Sequence, residues 1–133
     1  MVELDWDDSN KTTLRYTFID PWTWDEYYAT NARRDTFLSE VSHIVDLILD
    51  FRRGKYMPSQ AIHHIRRAMA WESPQRGIIV IVGVHSMLQA LGSVLITLSP
   101  QTASKAPRPA KDLEQAQKII AETRQKREIN CGT

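Results

Sequence analysis

Residues 77–84 read Gly-Ile-Ile-Val-Ile-Val-Gly-Val, and five consecutive positions, Ile78 to Val82, are β-branched and uncharged. Branching at Cβ stiffens χ1 and suits a pleated surface better than a helix. An apolar run of this length with no polar alternation predicts a strand buried on both faces, and therefore a sheet covered by helices on both sides. The 133 residues, 42% apolar and 25% charged, suffice for one globular domain with one sizeable core.

The rest of the chain is placed relative to that strand. Val2, Leu4 and Trp6 alternate with acids, and after Asp8-Ser9-Asn10-Lys11 the residues Leu14, Tyr16 and Phe18 alternate with Arg15 and Thr17. Two period-two runs around turn formers predict a β-hairpin. Thr23 and Glu26 then form a capping box for a helix from Trp24 to about Ser39, with Trp22 and Tyr27 spaced for a hydrophobic staple. Residues 43–51, with Ile44, Val45, Leu47, Ile48 and Leu49, predict a second buried parallel strand.

A helix opening at Pro58-Ser59 separates this strand from residues 77–84, with Ser59 as its cap. Its sheet-facing stripe is Ile62, Ile65 and Met69, while His63, Arg66, Arg67 and Ala70 face water. Together these form a strand–helix–strand unit. From 77 to 98 the only ionisable residue is His85, a length that imitates a membrane span. The β-branched first half and the polar stripe His85, Gln89 and Ser93 in the second half instead predict a strand, a turn and an amphipathic helix ending near Ser99-Pro100.

Residues 104–107 fit a short strand that Pro107 and Pro109 confine to a sheet edge. A last helix follows, capped by Asp112 with Gln115, with Leu113, Ala116, Ile119 and Ile120 as its buried stripe. The expected domain spans residues 1–128, with 129–133 a flexible tail. A lone cysteine, Cys131, and an N-terminus without a signal-peptide pattern fit a cytoplasmic setting.

The formal net charge of +1 gives no global reason to expect nucleic acid. Residues 1–40 hold nine acids and four bases, whereas 41–80 hold three acids and six bases, so one acidic and one basic surface region are expected. Neighbouring His63 and His64 point about 100° apart on a helix, which is not zinc-ligand spacing. The turn at residues 83–86 lacks the glycine pattern of a phosphate cradle. Neither a nucleophile–base pair nor a carboxylate pair stands out in motif form, so a non-enzyme with neither metal nor cofactor is expected.

The functional expectation falls on the loop after the second buried strand. Arg52, Arg53 and Lys55, with Tyr56, lie between that strand and the positive end of a helix. Such donors suit an anion, a phosphorylated side chain or a partner's acidic surface, and equally suit a solvated connector. Ser59, Gln60 and His63 complete the candidate partner- or anion-binding set. A second reading is a module for a small apolar or lipid-like ligand, held between the sheet and an apolar helix carrying Met87, Leu91 and Leu95.

The element order, with Trp-Thr-Trp-Asp-Glu at 22–26 and Val-Asp-Leu-Ile-Leu-Asp-Phe at 45–51, resembles the STAS domain of sporulation anti-sigma-factor antagonists and uncharacterised bacterial proteins like them. The resemblance implies a single α/β domain: a mixed sheet of four or five strands with an N-terminal hairpin, flanked by four helices. In the antagonists an Asp-Ser-Ser-Gly helix start carries a phosphorylated serine. Pro58-Ser59-Gln60-Ala61 stands there in this chain, so Ser59 matches the first serine and Gln60 replaces the phosphoacceptor. The expected function is a non-enzymatic regulatory or protein-interaction domain without an intact phosphoserine motif. Its expected partner is a protein, with a homodimer as one form, and neither nucleic acid nor membrane insertion is expected.

Overall fold

The computed structural model of the chain describes residues 1–83 and 107–131. In order these form β1 (Val2–Trp6), β2 (Thr13–Ile19), α1 (Trp24–Ser39), β3 (Val45–Arg53), α2 (Ala61–Met69), β4 (Arg76–Val82), β5 (Arg108–Ala110) and α3 (Leu113–Cys131). The five strands make one sheet in the order β1-β2-β3-β4-β5. β1 runs antiparallel to β2, and every other neighbouring pair is parallel, so the chain is α/β with a mixed sheet. Three helices lie among the described residues. The predicted helix over 86–99 and most of the predicted 104–107 strand lie outside them.

Alternation along β3 and β4 sorts the core into two layers. Leu47, Phe51, Ile79 and Ile81 pack with Tyr16, Phe18, Tyr27 and Leu38 on the face covered by α1 and α2. Ile48, Val80 and Val82 pack with Ala116, Ile119 and Ile120 of α3 on the other. Ile79 is 4% exposed and Val80 0%, as two-sided burial requires. Among the described residues no helix is long and apolar enough to cross a membrane.

β3 runs two residues past its predicted end. Arg53 pairs with Ile19, and its carbonyl accepts the Asp20 N–H at 2.9 Å. The observed edge strand, β5, includes Pro109, in keeping with proline's restriction to edges. The Thr23 hydroxyl caps α1 by accepting the Glu26 N–H at 3.1 Å. The Trp22 ring lies against Phe18, Trp24 and Phe51, and Trp22 and Tyr27 belong to the same core cluster.

The hairpin turn is organised by Asp8. Its carboxylate accepts the Thr12 N–H at 2.9 Å, the Thr13 N–H at 3.0 Å and the Thr12 hydroxyl. Burial pushes the Asp8 pKa up, but these hydrogen bonds outweigh it and hold the group below its ordinary value. A depressed carboxylate stabilises the fold fully above its unfolded pKa, and that stability is lost as pH falls through the folded value. Asp8→Asn should therefore melt lower than the parent at pH 7, and the gap should close below about pH 4. Melting curves at pH 7 and pH 3 check this, and a gap that does not narrow in acid would contradict it.

The C-terminal helix is tied back to the first half of the chain by a buried carboxylate. Asp46 is 0% exposed and accepts the Ile78 N–H at 2.8 Å, Arg124 Nε at 2.9 Å and Arg127 Nη2 at 2.9 Å. Arg124 also donates to the Thr12 carbonyl at 2.7 Å and the Thr13 hydroxyl at 2.6 Å. One ionic knot thus joins α3, β3, β4 and the hairpin. Gly77 makes room for it: a Cβ there would sit 2.1 Å from Asp46 Oδ1.

Candidate functional site

The segment of interest leaves the C-terminal end of β3, the end of a parallel sheet where α/β proteins commonly bind their ligands. Residues 54–60 connect it to α2. Gly54 is buried against the backbone of Phe18, and a Cβ there would lie 2.6 Å from the Phe18 carbonyl oxygen. Only glycine permits that approach. Asp20 then hooks the loop, its carboxylate accepting the Lys55 N–H at 3.1 Å and the Tyr56 N–H at 3.3 Å. Farther on, the Trp24 indole N–H donates to the Ser59 carbonyl at 3.0 Å and, more weakly, to the Pro58 carbonyl at 3.4 Å.

The loop side chains separate into two groups. Arg52 is turned back on Asp50, with Nε to Oδ1 and Nη2 to Oδ2 both at 2.9 Å. Hydrogen bonding to that carboxylate raises the Arg52 pKa, and Asp50 itself is buried. The Arg52 charge is therefore already answered within the fold. Arg53 and Lys55 are exposed and make no ion pair with a described residue. Tyr56 is 75% exposed, the largest fraction for a big apolar side chain among the described residues.

Ser59 does not cap α2. Gln60 occupies the N-cap with φ 63° and ψ 31°, in the left-handed region, and makes no side-chain cap hydrogen bond. Pro58 and Ser59 are instead committed to Trp24, and the chain turns into the helix one residue later. Of the predicted sheet-facing residues, Ile65 and Met69 turn inward and Ile62 does not. Ile65, Ala68 and Met69 pack inward, while Ile62 is 55% exposed beside His63, Arg66 and Arg67.

His64, beside the site, fixes the inner side of α2. Its ring stacks on Trp24 with centroids 4.7 Å apart, and Nδ1 hydrogen-bonds the Tyr28 hydroxyl. The Arg67 guanidinium lies 4.8 Å from the Tyr28 ring centroid, close enough for a cation–π contact. His63 meets His64 edge-on and otherwise faces solvent, so the adjacent histidines take different roles. Among the described residues no group of three or more His, Cys, Asp or Glu side chains is placed to hold a metal ion.

Under α2 lies a small apolar pocket lined by Phe18, Trp24, Phe51, Met57, Ile65 and Met69, with Tyr27, Leu49, Ala68 and Ile81 completing it. Its free interior is about 40 Å³, little more than the space of one water. The apolar-ligand site expected around Met87, Leu91 and Leu95 falls outside the described residues. Sequence reasoning missed Asp20 as the loop's anchor and Trp24 as the clamp on Ser59. Comparison with known proteins finds no family model, no curated protein and no solved structure that matches the chain.

Proposed function

We infer that this chain is a non-enzymatic regulatory or protein-interaction domain with a STAS-like arrangement, docking a partner protein through residues 54–60 and the outer face of α2. The observation that carries the reading is that residues 53–67 expose two apolar side chains, Tyr56 and Ile62, together with the bases Arg53, Lys55, Arg66 and Arg67. Aromatic and aliphatic anchors ringed by charge are the usual makings of a docking centre, with the anchors supplying affinity and the charges supplying steering. The loop is tethered at Gly54, by Asp20 and by Trp24, so little ordering entropy is spent when a partner arrives.

The fitting partner presents carboxylates around an apolar socket. Arg52 plays no direct part, since its guanidinium serves Asp50. A phosphoserine switch is not part of the reading, because Gln60 stands where the phosphoacceptor would be. Setting and lineage follow the resemblance: a bacterial, cytoplasmic regulator.

The test combines stability with capture. Replacing Arg53 and Lys55 with Ser should leave stability within about 1 kcal/mol of the parent, because exposed charges contribute little. The same variant should release captured partners at lower salt than the parent does, as a screened surface attraction requires. Tyr56→Ala with Ile62→Ala should reduce capture at every salt concentration. Full retention of partners by both variants would reduce the loop to a solvated connector.

A further inference from the structure

We propose that the free edge of β1 receives an extended partner segment of alternating basic and apolar residues, added to the sheet as a sixth strand. The pairing pattern decides which groups are available. Met1 O accepts from Ile19 N and Asp7 N donates to Thr13 O, each at 2.8 Å, so odd-numbered residues of β1 exchange hydrogen bonds with β2. The even-numbered residues Val2, Leu4 and Trp6 aim their backbone groups away from the sheet. The Trp6 N–H is taken by the Asp5 carboxylate at 2.8 Å, which leaves the remaining outward groups of Val2, Leu4 and Trp6 unpaired among the described residues.

Side chains on the two faces define the occupant. Val2 and Leu4 are buried toward α1, with Trp6 half-buried against Phe37, so the incoming strand meets apolar surface on that side. Glu3 and Asp5 are exposed on the opposite face and form no ion pair with a described residue. Alternating side chains of an added strand fall beside these two sets in turn. A basic residue next to Glu3 or Asp5 makes a favourable cross-strand pair, and an acidic one a repulsive pair. A second copy adding antiparallel about Leu4 would set Glu3 against Asp5 twice over, so the acids block self-pairing at neutral pH. This edge is separate from the α2 surface, and the proposal does not depend on that reading.

The experiment uses the full chain and the peptide acetyl-Thr-Lys-Val-Arg-Val-Lys-Thr-amide, with its Glu-for-base counterpart and a version N-methylated at alternate amides. Titration followed by amide chemical shifts should show saturable binding of the basic peptide, with shifts centred on Val2, Leu4 and Trp6. The acidic peptide should bind at least about fivefold more weakly, as two cross-strand ion pairs predict. Glu3→Lys with Asp5→Lys should reverse the preference, with some loss of melting temperature because Asp5 faces Arg15 across the strands, and N-methylation should abolish binding. Unchanged binding of the N-methylated peptide, or the same preference in the double variant, would overturn the proposal. Hydrogen-exchange protection at Leu4 that grows with protein concentration, without peptide, would do so as well, because a second copy would then be the occupant.

Discussion

Asp46→Ala should cost about 3 kcal/mol, the lower end of what losing one partner of a buried ion pair costs. The lower end applies because the Arg124 and Arg127 side chains keep some contact with water and can rehydrate once the carboxylate is gone. The Ile78 N–H would also lose its acceptor, and α3 its ionic link to β3. Urea denaturation read by both circular dichroism and tryptophan fluorescence checks this. Adding Arg124→Ala and Arg127→Ala to Asp46→Ala should cost less than the sum of the separate losses, since all three groups share one network. A cost below about 1 kcal/mol for Asp46→Ala would mean that the knot forms without holding the fold.

Ile79→Ala should cost on the order of 2–5 kcal/mol, the range for truncating a buried isoleucine. Ile79 pairs with Leu47 across the strands and packs within the aromatic layer of Tyr16, Phe18 and Tyr27. A denaturation midpoint shift equivalent to less than about 1 kcal/mol would show that the sheet is not packed from this side as described.

What could be read from the sequence was local. Ile78 to Val82 announced a strand covered on both faces because two-sided burial leaves no polar position in it. Thr23 with Glu26, and Asp112 with Gln115, announced helix starts because a cap involves residues three apart, and both caps form. The ties that lock these pieces together are distant in sequence. Arg124 and Arg127 lie 78 and 81 residues from Asp46, and Asp20 lies 35 residues from Lys55, so no spacing rule points to either contact.

Two misreadings at the candidate site have short-range causes. Ending β3 at Phe51 hid that Asp50 and Arg52, two apart in a strand, share a face and pair, which removes Arg52 from the free bases. Placing the cap at Ser59 rather than Gln60 hid the left-handed turn that precedes α2. The stripe facing the sheet runs through Ile65, Ala68 and Met69, and Ile62, in the first turn, is exposed and forms part of the candidate docking surface.

The most direct measurement of the docking claim is site-specific photocrosslinking in living cells. A photoreactive residue at position 56 or 62 should yield one discrete adduct of the same mass, lost when Arg53 and Lys55 are replaced with Ser. The same residue at position 122, on the exposed face of α3, should yield none at comparable level. Absence of an adduct from positions 56 and 62, or equal adducts from position 122, would contradict the assignment of this surface to partner docking.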